Sequence, residues 1–204
     1  MSRLATSFVL GYHGCEREIA RAAVAGEISL NHSNKDYDWL GPGSYFWESD
    51  PQRAWEWATE CVGRKAYREP CVIGAVIDLR NCLDLLNRSD QDLLALAHNQ
   101  LAAIYEAADK KMPANESSKR GGDNDRLLRK LDCAVIRHLH AIIEDLDDAE
   151  FPPFDSVRGM FTEGGAIYPG SAFHQQSHVQ VAILNNDCIR GYFYPPELAG
   201  YWGA

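Results

Sequence analysis

The sequence predicts an α+β fold, because segments with the character of strands lie towards both ends of the chain and strongly helical segments lie in the middle. The strand segments are short, rich in β-branched or aromatic residues, and bounded by glycine, proline or asparagine. The central segments repeat apolar residues at helical spacing. We expect a single domain over residues 1–204 with a helical insertion at about residues 90–145, since 204 residues suffice for one sizeable core.

The first strand and the first helix follow from the opening residues. Ser7–Gly11 predicts a short strand, and we expect it to end at the sharp Tyr12-His13-Gly14. Glu16–Ala25 carries a helical stripe of apolar residues, and Gly26 follows as a typical helix stop. The chain is therefore expected to begin with a strand, a sharp turn and a helix.

A second helix and a buried strand are expected next. Asp50 and Pro51 have the residue types of an N-cap and a first helical position, which predicts a helix from there towards Cys61. Cys71–Leu79 is short, rich in β-branched residues and preceded by Pro70. These features predict a buried strand.

Two long helices are predicted for the middle of the chain. Asp90–Lys110 is strongly helical, and Arg126–Glu144 places its leucines and a valine on one face. Between them, Pro113–Asn124 is polar and contains glycine, which predicts a flexible surface loop. The two helices and this loop make up the expected insertion.

Strands return at the end of the chain. Ser156–Thr162, Val179–Leu184 and Ile189–Tyr194 each predict a strand. Asn185-Asn186-Asp187 has the residue types of a turn, so the last two strands are expected to form a hairpin.

The bulk composition narrows the class of protein. A formal net charge of −9 disfavours a large basic face of the kind that binds duplex nucleic acid through its phosphates. No apolar stretch is long enough to span a bilayer and no secretory signal is evident, so we expect a cytoplasmic protein without a membrane partner. The six cysteines are scattered without metal-ligand spacing, which predicts reduced, mostly buried thiols and no metal.

Three widely separated segments carry residues suited to chemistry. They are Tyr12-His13-Gly14, Gly41-Pro42-Gly43-Ser44-Tyr45-Phe46 and Ser177–Ile183. Each is weak alone, since a single histidine is usually structural and glycines beside an aromatic pair usually mark a tight turn. The two glycines do not complete a G-x-G-x-x-G pattern, which argues against a Rossmann dinucleotide site.

Together the three segments resemble the ADP-ribosyltransferase superfamily, in the branch shared by diphtheria toxin and the poly(ADP-ribose) polymerases. That branch has a His-Gly at the end of its first strand, a G-x-G-x-Tyr-Phe strand followed by a helix, and a carboxylate on a late strand. Here His13-Gly14, Tyr45-Phe46 and the strand at Gln180 match in order and in local spacing. The resemblance covers the two ends of the chain, and the helical middle has no counterpart in it.

The resemblance implies an ADP-ribosyltransferase-like fold, with a split, mixed β-sheet that holds NAD in a cleft between its halves. It implies an NAD-dependent mono-ADP-ribosyltransferase that uses NAD as donor substrate and needs no metal. The acceptor stays open between protein, nucleic acid and a small molecule. Bacterial proteins of this resemblance are often toxins or effectors, which makes a neutralising antitoxin an expected partner.

The resemblance also implies roles for single residues. The backbone of Gly14 would bond the nicotinamide carboxamide, because glycine lets a ligand approach closely. His13 would bond the adenosine ribose and fix the bent pose of the dinucleotide. Tyr45 would stack on the nicotinamide ring, and Trp55 or Trp57 would cover the other face of that ring.

The catalytic position departs from the family pattern, because Gln180 stands where the family has glutamate. A glutamine carbonyl still accepts a hydrogen bond from the nicotinamide ribose, but it brings a dipole where a carboxylate brings a charge. Losing one such stabiliser typically costs about 3 kcal/mol, or about a hundredfold in rate. Three outcomes stay open: a slow enzyme, a substitute carboxylate such as Glu163 or Glu48, or a group supplied by the acceptor. We favour a working enzyme with Gln180 in the pocket.

Four other positions bear on the NAD site. Ser44 lies in the strand of Tyr45 and is a candidate NAD contact, although it is expected to point the opposite way. Tyr168 and Ser171 lie in the loop before the late strand, a region that contacts donor or acceptor in the family; a well-packed surface loop is the alternative. Arg53 stands where the family has a serine, which weakens the predicted carboxamide contacts.

Other functions compete with this one. A thiol hydrolase would use Cys15 with His13 or His178 as its base, since His13 and Cys15 share one face of a strand. His138 and His140 face different directions on a predicted helix, so we expect them at the surface or at an interface and not at a metal. The remaining alternatives are a degenerate family member that binds NAD or a partner without turnover, and an NAD glycohydrolase with water as acceptor.

Overall fold

The computed structural model describes residues 8–117, 128–146, 148–196 and 198, and within them the fold is α+β, as the sequence predicts. The strands are β1 (Phe8–Glu16), β2 (Ser44–Glu48), β3 (Pro70–Asp78), β4 (Cys82–Asp84), β5 (Asn115–Glu116), β6 (Leu128–Arg129), β7 (Ser156–Phe161), β8 (His178–Ile183) and β9 (Ile189–Phe193). The helices are α1 (Arg17–Val24), α2 (Pro51–Gly63), α3 (Arg88–Ala107) and α4 (Lys130–Leu146), with one turn of 3-10 helix at Asn186–Cys188. Among the described helices, none has both the length and the hydropathy that crossing a membrane requires.

Seven of the strands form one mixed sheet in the order β4-β7-β8-β2-β1-β3-β9. The pair β4–β7 is parallel, and the other neighbours in the sheet are antiparallel. β5 and β6 form a separate two-stranded ladder beside α4. The centre of the large sheet is built from both ends of the chain, because β8 lies directly beside β2.

The predicted hairpin between the last two strands is wrong. β8 pairs with β7 and β2 inside the sheet, whereas β9 pairs with β3 at the far edge. Packing at that edge explains the choice: the ring of Phe193 lies directly over Gly74, where a Cβ would come within 2.3 Å of it. Asn185 does begin a local turn, since its side chain accepts a hydrogen bond from the Asp187 backbone at 3.0 Å. It starts a crossover between distant strands and not a hairpin.

The first strand is longer than predicted. β1 continues through His13 and Gly14 to Glu16, and it pairs with β3 along its whole length. The partner that extends it lies far along the chain, so local residue types did not reveal the extension. Ser7, the expected first residue of this strand, lies outside the described residues.

The start of α2 is confirmed. The Asp50 carboxylate accepts a hydrogen bond from the Arg53 backbone at 2.8 Å, and Pro51 is the first helical residue. The two long central helices are also present, although α4 begins at Lys130, later than expected. Residues 118–127, which include the end of the predicted loop and the expected start of α4 at Arg126, lie outside the described part of the chain.

Helices α2, α3 and α4 cover one side of the sheet, which we call the front face. α2 packs through Ala54 on Tyr12 and Trp47. α3 and α4 pack on Val157 and Ala182. The helical middle of the chain is therefore part of the core and not an appended module.

Helix α1 covers the opposite side of the sheet, which we call the back face. Its residue Ala20 belongs to one buried cluster with Phe46 and Val181. Neighbouring residues of a strand point to opposite faces, so Trp47 and Gln180 lie on the front face. The front face carries two helical coverings side by side, and Gln180 lies where they meet.

Replacing Gly14 with alanine is expected to destabilise the fold. A Cβ there would lie 2.5 Å from the backbone oxygen of Ala54 and 3.2 Å from the Cβ of Ala58, so α2 would have to move away from the sheet. Overpacking of this kind costs about 1–3 kcal/mol. Urea denaturation of the Gly14→Ala variant measures the loss.

Gly191→Ala is the matched control, since this glycine also lies in a strand and a Cβ added there would meet no described atom within 4 Å. Its free energy of unfolding should stay close to that of the wild type. Equal stabilities of the two variants would contradict the close contact between β1 and α2.

Candidate functional site

The three predicted catalytic residues lie on three adjacent strands but not on one face, because Tyr45 and Gln180 lie on the front face and His13 lies on the back face. Tyr12 pairs with Trp47, and Trp47 pairs with Gln180, so these side chains form one row across β1, β2 and β8 on the front face. His13 follows Tyr12 on β1. Tyr45 precedes Trp47 by two residues and shares its face of β2. Chain segments far apart in sequence thus meet at the middle of the sheet.

His13 bridges the place where β1 and β2 stop pairing. These strands share two ladder pairs, whereas β2 and β8 share four. Beyond the short ladder, Nδ1 of His13 donates to the backbone oxygen of Tyr45 at 2.7 Å, because a carbonyl oxygen only accepts. Burial lowers the pKa of His13, so the ring is neutral and Nε2 is its acceptor nitrogen. The ring lies on the back face, 5.6 Å from that of Phe46.

The Tyr45 hydroxyl closes the loop that leads into β2. It donates to the backbone oxygen of Gly41 at 2.7 Å and accepts from the backbone nitrogen of Leu40 at 3.0 Å. Burial raises the pKa of this hydroxyl well above its usual range, so it stays protonated. Gly41 adopts a positive φ of 78°, which glycine allows without strain. The G-x-G-x-Tyr motif thus builds a rigid loop and presents the Tyr45 ring on the front face.

Gln180 is 8% exposed and its amide oxygen is already engaged. The indole Nε1 of Trp39 donates to Gln180 Oε1 at 2.7 Å. Its neighbours on the front face are aromatic, and they contact one another in a chain. The ring centroids of this aromatic cluster lie 5.0 Å apart for Trp39 and Phe161, 5.5 Å for Phe161 and His178, and 6.1 Å for His178 and Trp47.

A cavity of about 460 Å³ lies near the aromatic cluster, although Gln180 is not among the residues that line it. Trp39 lines it, and so does Gly159, the cross-strand partner of Gln180 on β7. Its walls are mostly apolar, with Arg129 and Asp132 as charged members; the others are Leu85, Leu86, Gln91, Leu94, Ile136 and Met160. The volume lies in the range of small-molecule sites, which combine apolar walls with a few polar groups.

Several predicted NAD contacts serve the fold itself. Gly14 lets α2 approach the sheet, which gives this glycine a packing role. Ser44 is 1% exposed on the back face, and its hydroxyl donates towards the backbone oxygens of Leu30 and Asn31 at 3.2 and 3.3 Å. It therefore faces away from Tyr45.

The predicted aromatic contacts divide into two groups. Trp55 and Trp57 pack against the cluster formed by Tyr12 and Trp47, and the Trp57 ring lies 6.0 Å from the Trp47 ring. Tyr168 is 56% exposed, in the loop between β7 and β8. Two tryptophans thus lie at the site, and the tyrosine lies at the protein surface.

Both candidate carboxylates are paired with arginines. Glu163 contacts Arg53 Nη2 through both oxygens, at 3.1 and 3.3 Å, near the start of α2. Glu48 binds Arg158 on the back face at 2.6 and 2.8 Å, and Arg158 also binds Asp84 at 3.1 Å. Hydrogen bonding to Glu48 raises the pKa of Arg158. Of the two, Glu163 is the one near the aromatic cluster, because Arg53 lies 5.9 Å from the Trp47 ring.

The thiol hydrolase receives no support from the geometry. All six cysteines are free, and five of them are buried, as predicted. Burial raises the pKa of Cys15 to about 12, which disfavours the reactive thiolate. Within the described residues, no group of histidine, cysteine and carboxylate side chains is placed to hold a metal ion.

The two helical histidines, expected at the surface or at an interface, are partly covered. His138 and His140 are both half-buried on α4, and Nε2 of each is buried without a hydrogen-bond partner among the described residues. The His140 ring lies 5.9 Å from that of Phe154. One nitrogen of each imidazole is therefore covered by neighbouring residues, while the residue as a whole stays half-buried.

Sequence reasoning missed most of the aromatic cluster. Strand parity was a usable signal for two members: Trp47 lies two residues after the predicted tyrosine, and His178 lies two residues before the predicted glutamine. Trp39 and Phe161 had no such signal, because one lies in a loop and the register of β7 against β8 is a tertiary property.

Acid is expected to destabilise the protein through its buried histidines. Burial lowers the pKa of both His140 and His178 from 6.5 to about 4. Between these values the unfolded chain binds more protons than the folded one, so the free energy of unfolding falls as the pH falls. Each histidine adds up to about 1.4 kcal/mol per pH unit to the slope of the free energy of unfolding against pH. Denaturation midpoints measured across this range test the slope, and His140→Phe should make it shallower; an unchanged slope would contradict the burial of His140.

Comparison with known proteins finds no match, so the fold and the site geometry are the guides to function. No protein-family model, no curated protein and no solved structure matches this chain.

Proposed function

We propose that this chain has an ADP-ribosyltransferase-like fold, binds NAD at the front face and transfers ADP-ribose to an acceptor. One observation supports this most: Tyr45 and Gln180 come from distant motifs, yet they share the front face on adjacent strands, beside the place where β1 and β2 stop pairing. The resemblance implies a split sheet with the NAD cleft between its halves; the strands here form one sheet, and its shortest ladder, of two pairs, joins β1 and β2.

The proposed reaction breaks the C–N bond between ribose and nicotinamide. Nicotinamide leaves with the bonding electron pair, an acceptor oxygen or nitrogen bonds to C1′, and the acceptor releases a proton. The ribose passes through a cationic state, so the site must hold both ends of the bond and stabilise positive charge. The Tyr45 ring and the aromatic cluster offer ring faces on which the nicotinamide, a cationic ring in NAD, would stack.

Gln180 would stabilise the ribose by its carbonyl dipole. Its Oε1 has two lone pairs, and Trp39 uses one of them. The Trp39 bond fixes the direction of the amide, and the second lone pair can accept from a ribose hydroxyl. His13 lies on the back face, so its part is indirect: its bond to the Tyr45 backbone holds β1 against β2 beside the proposed site.

Binding without turnover is the second candidate function. It is favoured by the same contact between Trp39 and Gln180, since an amide that is neutral and already bonded stabilises a cation weakly. An NAD glycohydrolase differs from the transferase only in using water as acceptor. Nicotinamide release and the fate of labelled ADP-ribose separate these functions.

Gln180→Glu is expected to raise the rate of nicotinamide release about a hundredfold, because a carboxylate adds a full negative charge where the amide offers a dipole. The Trp39 N–H can still bond the new side chain, so the geometry is retained. Release is measured with NAD labelled in the nicotinamide ring, in the presence of whole-cell lysate as a source of acceptors. NAD labelled in its adenylate part then shows whether protein, nucleic acid or a soluble product receives the ADP-ribose.

Gln175→Glu is the matched control, because it makes the same change at an exposed position of the preceding loop. It should leave nicotinamide release at the wild-type rate. If neither wild type nor Gln180→Glu releases nicotinamide while NAD still binds, the binding function replaces the transferase. If NAD does not bind at all, both proposals fail.

A further inference from the structure

Three buried side chains on the front face carry polar atoms without hydrogen-bond partners among the described residues. The atoms are Trp47 Nε1, Arg53 Nε and Nη1, and His178 Nε2. The residues are 5%, 7% and 8% exposed, respectively. Folded proteins rarely leave such groups unpaired, because each costs free energy relative to water. Their concentration at one place requires an explanation.

These three side chains are neighbours. The Arg53 guanidinium lies 5.9 Å from the Trp47 ring, and the Trp47 ring lies 6.1 Å from the His178 ring. Trp47 is the cross-strand partner of Gln180, and His178 precedes Gln180 by two residues on the same face. The unpaired atoms therefore adjoin the proposed NAD site.

The chemistry of each atom is defined. Nδ1 of His178 donates to the backbone oxygen of Gln176 at 2.7 Å, so the neutral ring presents Nε2 as an acceptor. Burial is the main reason that the pKa of His178 falls to about 4, and the charges of Arg53 and Arg129 lower it further, against the opposing charge of Asp50. The ring is thus neutral at physiological pH.

Trp47 and Arg53 offer only donors. The indole of Trp47 has one N–H, and the guanidinium of Arg53 has a full positive charge with unpaired N–H groups at Nε and Nη1. A hydroxyl group satisfies His178 and Trp47 together, because it donates to one and accepts from the other. An anionic oxygen satisfies Arg53.

The charge of Arg53 is balanced by Glu163, which lies in the loop between β7 and β8. Glu56 and Glu60 also form ion pairs with Arg53, at 3.9 Å from Nη1, a distance too long for a hydrogen bond. Glu163 is followed by Gly164 at a positive φ of 83°, where the chain turns away. An anionic ligand would compete with Glu163 for the guanidinium.

We propose that Trp47, Arg53 and His178 form a binding site for a sugar phosphate, whose hydroxyl bonds His178 and Trp47 and whose phosphate displaces Glu163 from Arg53. The site rests on the proposed function only for the source of the ligand, which is either the ADP-ribose part of NAD or a nucleotide that accepts ADP-ribose. Glu163 then acts as a latch on the loop and not as a substitute catalytic carboxylate.

Calorimetric titration with ribose 5-phosphate and with ADP-ribose tests the site. Trp47→Phe and His178→Phe keep an aromatic ring but lose the polar atoms, and each is expected to weaken binding about tenfold. His178→Gln restores an acceptor and should recover most of the affinity. His140→Phe is the matched control, because it alters another buried histidine with an unpaired Nε2 among the described residues, and it should bind as the wild type does.

Glu163→Gln separates the latch from catalysis. The latch predicts several-fold tighter binding of both ligands, since the competing carboxylate is gone. If Glu163 is instead a substitute catalytic carboxylate, Glu163→Gln leaves ligand binding unchanged and abolishes nicotinamide release. That result would overturn the latch.

The site and the proposed reaction can fail independently. ADP-ribose contains no nicotinamide bond, so its binding does not depend on turnover. Competition between ribose 5-phosphate and NAD assigns the site to the donor, and simultaneous binding assigns it to the acceptor; either result supports a sugar-phosphate site. Failure of both ligands to bind the wild type, or equal affinities of wild type, Trp47→Phe and His178→Phe when all three are folded by circular dichroism, would overturn it.

Discussion

The position of β2 between β1 and β8 is the constraint on which the rest of the structure depends. β2 joins the strands β4-β7-β8 to the strands β1-β3-β9, and its pairing with β1 extends over two ladder pairs. Trp47 lies at this junction, paired with Tyr12 on one side and Gln180 on the other. Its indole also contacts Arg53, His178 and Trp57, so one side chain connects the sheet, α2 and the site.

The front face combines apolar surface with a small number of oriented polar groups. Trp39 orients the Gln180 amide, and Gln176 orients the His178 ring. The same burial that keeps His178 neutral strengthens any hydrogen bond formed there, because little water competes. Arg53 and Glu163 add one charge of each sign at the margin. The proposed sugar-phosphate site depends on this combination of neutral and charged groups.

Local sequence signals predicted where helices and strands form better than they predicted which strands lie next to one another. The cap at Asp50 and the buried strand β3 were predictable, because hydrogen bonding to the helix end and β-branched composition act within a few residues. The predicted hairpin between the last two strands was wrong, because the position of β9 depends on the packing of Phe193 over Gly74.

The sequence by itself determined the α+β class, the helices and the longer strands, since residue type and spacing act locally, but it did not predict the short strands β4, β5 and β6. Only the tertiary structure decided that the motifs of His13, Tyr45 and Gln180 share adjacent strands and that Trp39 bonds Gln180. It also decided that Trp47, Arg53 and His178 converge with polar atoms that have no partner among the described residues. The physical reason is that strand order and register depend on contacts between residues far apart in the chain, which no local pattern records.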